Sequence, residues 1–242
     1  MMKTFFLCIC VFIGVNSHEQ LKNTSTFDLP AMKIDSNSKK MNLWATFYHI
    51  HSFNSSGKIP LLLNDEKPSG LFADTCDFCT ASLEGTAIII DSLGKKFVLN
   101  YARTSEKSVV DCRKCDNYKK SKLNIERLGK IRWVHTSGYG NGVLNYTLIP
   151  FRTIAVDKNL IPYGSKLFIP TIRGLEFTDC NGIQKKHDGY FIAGDTGVAI
   201  KQNHIDFFTG TQTINPFPSV IFSDKNKTFT AYMCNDEDIL KK

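Results

Sequence analysis

Gly189-Tyr190-Phe191-Ile192-Ala193-Gly194 is an apolar run that leads straight into Asp195-Thr196-Gly197. Its length and its aromatic and β-branched content read as a buried strand stopped by a turn. The same grammar recurs on both sides. Upstream, Thr153-Ile154-Ala155-Val156 ends on Asp157, Pro162-Tyr163-Gly164 makes a turn, and Lys166-Leu167-Phe168-Ile169 is stopped by Pro170. Downstream come Ser219-Val220-Ile221-Phe222 and Thr228-Phe229-Thr230-Ala231-Tyr232-Met233. Further upstream, Leu43 to Ile50, Ala87 to Ile90 and Lys96 to Tyr101 are rich in strand formers, and the glycine cluster Gly138-Tyr139-Gly140-Asn141-Gly142 marks a turn or a close backbone approach. Many short strands at near-regular spacing predict a mainly β protein built on a small barrel.

The chain has 242 residues, 42% of them hydrophobic, and a formal charge of +7. That is too apolar for a disordered protein, and no apolar run is long enough for a membrane-spanning helix. The positive charges are scattered without a basic helix or arginine-rich arm, so no nucleic-acid partner is expected. Lys3 followed by the apolar stretch Phe5 to Val15 and polar Asn16-Ser17 reads as a signal peptide over residues 1–17, which predicts export to the periplasm or the medium. Residues 18–41, polar and rich in Lys, Asn and Ser, read as a flexible leader.

Six cysteines follow: Cys76, Cys79, Cys112, Cys115, Cys180 and Cys234. The two Cys-x-x-Cys pairs have the spacing of a four-thiolate zinc site, and an even count in an exported chain equally suits disulfides. Disulfides are preferred, because an oxidising compartment removes free thiolates. On either reading the cysteines are structural and clip their segments down.

The densest polar chemistry lies between Asp157 and Phe208. A carboxylate at the mouth of an apolar strand is costly unless hydrogen-bonded or used, and burial beside a second carboxylate raises its pKa. Such an acid holds its proton near neutrality and protonates a leaving oxygen. Asp157 fits a capping role in a turn. Asp195 and Asp206, the latter within His204-Ile205-Asp206-Phe207-Phe208, are the candidate acids. Asp-Thr-Gly also marks aspartic proteases, but that mechanism needs two such loops and the chain has one.

Trp44-Ala45-Thr46-Phe47-Tyr48, Thr153 to Asp157, Ile161 to Pro170, Gly194 to Lys201 and His204 to Gly210 together resemble the three-aspartate (3D) domain, the catalytic half of the membrane-bound lytic transglycosylase A family. The resemblance runs from about residue 43 to 234. It implies a double-psi β-barrel over residues 42–237, with 51–132 and both cysteine pairs as an insertion between barrel strands. It also implies a monomer that cleaves the bond between N-acetylmuramic acid and N-acetylglucosamine in peptidoglycan, without metal or cofactor. Asp206 falls where the family has its general acid, Asp195 where it has a supporting carboxylate, and Asp157 at a structural position. Thr46, Tyr48 and Lys201 are the expected groove contacts. Val198 and Gln202 stand where the family pattern has glycine. The competing implication is an expansin-like wall-binding protein on the same barrel, without catalysis.

Overall fold

The computed structural model describes residues 26–121 and 123–234. The expected signal peptide lies outside the described residues, as do residues 235–237. Fourteen strands are described, and six close into a barrel, in the order β1 (Lys40–Tyr48), β13 (His204–Phe208), β8 (Thr153–Ala155), β12 (Tyr190–Asp195), β9 (Lys166–Phe168) and β14 (Phe229–Cys234), which returns to β1. The pairs β1/β13 and β8/β12 are parallel, and the other four are antiparallel. Closure leaves no open sheet edge. Leu43, Ala45, Ile154, Leu167, Phe191, Ala193, Ile205 and Phe207 fill one apolar core. Side chains alternate along a strand, so Ile205 and Phe207 in this core turn His204, Asp206 and Phe208 the other way.

Residues 51–136 build a second body. Strands β2 (His51–Asn54), β5 (Thr86–Ile90), β6 (Lys96–Thr104) and β7 (Ile131–Thr136) form a four-stranded sheet, flanked by the hairpin β3 (Ile59–Leu62) with β4 (Pro68–Ala73). A helix, α1 (Thr75–Glu84), runs through the first cysteine pair, and a short α2 (Ile125–Leu128) follows the second. The sequence pattern does not single out α1, because its buried stripe is Phe78, Cys79, Ala81 and Ser82, largely small or polar residues. Gly85, in the left-handed region at φ 80°, ends it. Disulfides Cys76–Cys115 and Cys79–Cys112 tie α1 to the segment before α2. These four sulfurs are therefore consumed, and the zinc alternative has no thiolates to use. Among the described residues Cys180 and Cys234 are not bridged to each other. The Cys180 sulfur faces the Thr209 carbonyl at 3.6 Å, whereas Cys234 rests on the Met32 sulfur at 3.8 Å.

The second sheet is welded to the barrel by a cluster of Ile50, Ile88, Val98, Leu148 and Phe208, with Tyr48 and Tyr139 packed on it. A small hairpin, β10 (Glu176–Thr178) with β11 (Gln184–Lys186), completes the strands. Part of the segment read as a flexible leader is seated on the barrel. Met32 is buried, the Phe27 ring meets Phe177 at 4.9 Å, and the Tyr190 hydroxyl donates to the Pro30 carbonyl at 3.0 Å. Apolar burial holds the segment together with hydrogen bonds that Arg152 donates to the Thr26 carbonyl and Arg173 to the Leu29 carbonyl. Below it the buried Arg152 pairs with Asp188 at 2.8 Å. Among the described residues no helix is long and apolar enough to cross a membrane.

Candidate active site

The parallel register of β1 on β13 assembles the site. Trp44 lies opposite His204, Thr46 opposite Asp206 and Tyr48 opposite Phe208. All six point away from the barrel core, and each pair is in contact. The Trp44 and His204 rings stack at 3.6 Å with 7° between their planes. The Thr46 hydroxyl lies 2.6 Å from Asp206 Oδ1 and 2.9 Å from His204 Nε2. The Tyr48 ring packs on Phe208 at 5.1 Å.

Tyr48 then reaches across to the end of β12, where its hydroxyl donates to Asp195 Oδ2 at 2.5 Å. The Thr196 N–H donates to the other oxygen, Oδ1, at 2.8 Å. Burial pushes the Asp195 carboxyl up to about 6, against the pull of these two donors. Burial likewise pushes Asp206 up to about 6, opposed by the Thr46 hydrogen bond and reinforced by the negative charge of Asp195. Tyr48 is driven well above the ordinary phenol range, first by burial and then by Asp195. Two carboxyls that titrate near 6 side by side can exchange a proton with a bound molecule close to neutral pH.

A third carboxyl joins them from the second body. Glu84, the last residue of α1, is pushed up to about 8 by burial and then by the charges of Asp206 and Asp195. Sequence reasoning missed it, since nothing in a cysteine-bearing insertion points to a residue so distant along the chain. The link between the two bodies is visible beside it. The Thr86 hydroxyl donates to Asn100 Oδ1 at 2.8 Å, and the Asn100 amide donates to the Asn141 carbonyl at 3.0 Å. The next residue, Gly142, sits against the end of β12. A Cβ there would lie 2.2 Å from the Gly194 carbonyl oxygen and 3.1 Å from Asp195 Oδ1. The glycine cluster thus allows a close approach that locates Asp195.

The other candidates lie apart. Asp157 holds a turn, accepting from Asn159 N–H at 3.0 Å on Oδ1 and from Gln202 N–H at 2.8 Å on Oδ2. Backbone donors from Gln202 and Asn159 keep its carboxyl below the usual range. Lys201 is exposed on the turn before β13, next to Asp157 rather than Asp206. Gln202 takes φ 56°, a region that favours glycine, and Val198 is exposed. Phe207 and Phe208 are buried packing residues.

Fold and site together define a closed β-barrel that presents paired half-buried aspartates beside a second sheet. More particularly, residues 152–214 match the family model of the 3D domain. No curated protein sequence matches it. Among solved structures it is similar to E. coli MltA with bound chitohexaose, at 13% identity over 81% of this chain and 74% of that one, with a TM-score of 0.49. A membrane-bound lytic murein transglycosylase from Agrobacterium tumefaciens is similar at 14% identity, 82% and 76% coverage and a TM-score of 0.48. The lytic transglycosylase LtgG of Burkholderia pseudomallei is similar at 13% identity, 85% and 73% coverage and a TM-score of 0.38.

Proposed function

We propose that the protein is an exported, monomeric lytic transglycosylase that cleaves the peptidoglycan bond between N-acetylmuramic acid and N-acetylglucosamine, using Asp206 as its single acid and base. The observation that carries this reading is the half-buried pair on β13 and β12: Asp206 and Asp195, each held up near 6. Asp195 accepts from two donors, Tyr48 and Thr196, and so is the better-stabilised carboxylate. Among the described side chains Asp206 accepts from Thr46 alone, and it is the natural bearer of the proton.

Protonated Asp206 donates to the glycosidic oxygen as its bond to the muramyl anomeric carbon breaks. The positive charge that develops on the sugar ring is stabilised by the Asp195 carboxylate. The sugar's own 6-hydroxyl then bonds to that carbon and returns its proton to Asp206. The product is an anhydro ring, and no metal, cofactor or water is consumed. The match of residues 152–214 to the 3D domain supports this assignment. Two parallel pairings within the barrel support a double-psi connectivity, and the two disulfides support export. Glu84 and Gly142 bring the second sheet beside the two aspartates, where a glycan strand would lie.

The experiment is turnover of purified peptidoglycan by the wild type and by Asp206→Asn, with co-sedimentation as the measure of binding. Release of muropeptides by the wild type and not by the variant is expected. Binding without release by the wild type would refute the enzyme reading in favour of a wall-binding protein.

A further inference from the structure

Thr46 has one hydroxyl hydrogen and two partners in range, Asp206 Oδ1 at 2.6 Å and His204 Nε2 at 2.9 Å. The other imidazole nitrogen, Nδ1, faces the Ala199 carbonyl at a longer 3.4 Å. His204 is held below its usual pKa by burial, so it is a neutral ring with one N–H to place. Two arrangements satisfy both contacts of the Thr46 hydroxyl, and since a carbonyl oxygen only accepts, the Ala199 contact is a hydrogen bond in the second alone. In one, Nε2–H donates to Thr46 and the Thr46 hydroxyl donates to Asp206 Oδ1, so a proton on Asp206 must sit on Oδ2. In the other, Nδ1–H donates to Ala199, Thr46 donates to His204, and the Asp206 proton must fill the 2.6 Å contact from Oδ1. That second proton faces Thr46 and is withheld from any bound molecule.

We propose that His204 and Thr46 form a directional donor chain, His204 Nε2–H to Thr46 O–H to Asp206 Oδ1, which leaves Oδ2 as the oxygen that carries the transferable proton. An ionised Asp206 can only accept, so Thr46 must donate to it at 2.6 Å and His204 must then donate to Thr46 at 2.9 Å, which selects this direction over the longer 3.4 Å contact to Ala199. The stack of Trp44 on His204 fixes the ring plane that the chain requires. Thr46 and His204 are then positioning residues, and Thr46 serves Asp206 rather than gripping the glycan. This assignment rests on Asp206 being the acid. The groups facing that acid are Thr46 and Tyr48 on β1, His204 on its own strand, Asp195 on β12 and Glu84 on α1. None is a cation, so the chain is the acid's ordered source of hydrogen-bond donation.

The test uses the full chain with labelled histidine and aspartate. Nitrogen NMR of His204 reads which ring nitrogen bears hydrogen, and carbon NMR reads the Asp206 titration. The expected result is the Nε2–H tautomer in the wild type. In Thr46→Val, loss of a donor to a charged group raises the Asp206 midpoint by about one pH unit and lowers kcat about tenfold with KM held. Thr46→Ser restores both, which a purely steric role for the Thr46 methyl would not allow. An Nδ1–H tautomer, or a Thr46→Val protein with the wild-type midpoint, overturns the proposal. Both readouts need no turnover, so they separate its failure from failure of the enzyme reading, which inactivity of a wild type with these titrations would signal.

Discussion

Replacing Asp206 by Asn should stabilise the protein at neutral pH while abolishing its chemistry. The Asp206 carboxyl titrates near 6 when folded, against 3.8 for the ordinary value. The folded state therefore holds a proton that the unfolded chain has released, and stability falls as pH rises through the window between those values. Two pH units of displacement correspond to about 3 kcal/mol by pH 7. Asn accepts from Thr46 less strongly than a carboxylate does, which offsets about 1 kcal/mol of the gain. The net of about 2 kcal/mol predicts a Tm about 4–8 °C above wild type at pH 7 for a chain of this size. At pH 4, close to the unfolded value of 3.8, the folded carboxyl keeps its proton and the unfolded one keeps a large share of its own, so the difference should vanish or reverse. Calorimetric melts of both proteins at pH 4, 5.5 and 7 read this directly. A variant that melts lower than wild type at pH 7, or a gap independent of pH, would refute the claim that burial holds Asp206 in a strained, useful state.

Glu84→Gln follows the same sign. The carboxyl titrates near 8 when folded, so its destabilising effect grows as pH rises from about 4.5 to 8 and is removed by the amide. Melts should show a gain at pH 8 that is absent at pH 4. For the disulfides, Cys79–Cys112 closes its loop inside the one closed by Cys76–Cys115. Once the outer bridge is in place, the inner one adds little loop-closure entropy. Removing the inner pair should thus lower Tm far less than removing both, where the loss is about 2–4 kcal/mol. Gly142→Ala forces a methyl group against the Gly194 carbonyl and Asp195. Overpacking of this kind costs about 1–3 kcal/mol, and muropeptide release should fall along with Tm.

Much of the barrel is legible in the sequence because its strands are short, apolar and ended by Gly, Pro or Asp. Thr46, Tyr48, Asp195 and Asp206 come together because β1 lies parallel to β13, with Thr46 opposite Asp206. That register joins residues 160 positions apart, and no local pattern encodes it. The Trp44–His204 stack depends on the same register and is invisible for the same reason. Gly142 is legible as one of a glycine cluster, but what approaches it is not. Glu84 is beyond sequence reasoning for a further cause. Its helix buries a stripe too polar to read as amphipathic, and its place beside the aspartates depends on how the second sheet docks on the barrel. The seat of Phe27 and Met32 is likewise hidden, since a few apolar residues in a polar segment look like a tail until the surface that receives them is known.

The most direct test is the mass of the fragments released from purified peptidoglycan. Ring closure by the sugar's own hydroxyl predicts muropeptides lighter by one water than hydrolysis would give, produced by the wild type and not by Asp206→Asn. Fragments of the hydrated mass, or equal release by the variant, would contradict the single-aspartate account.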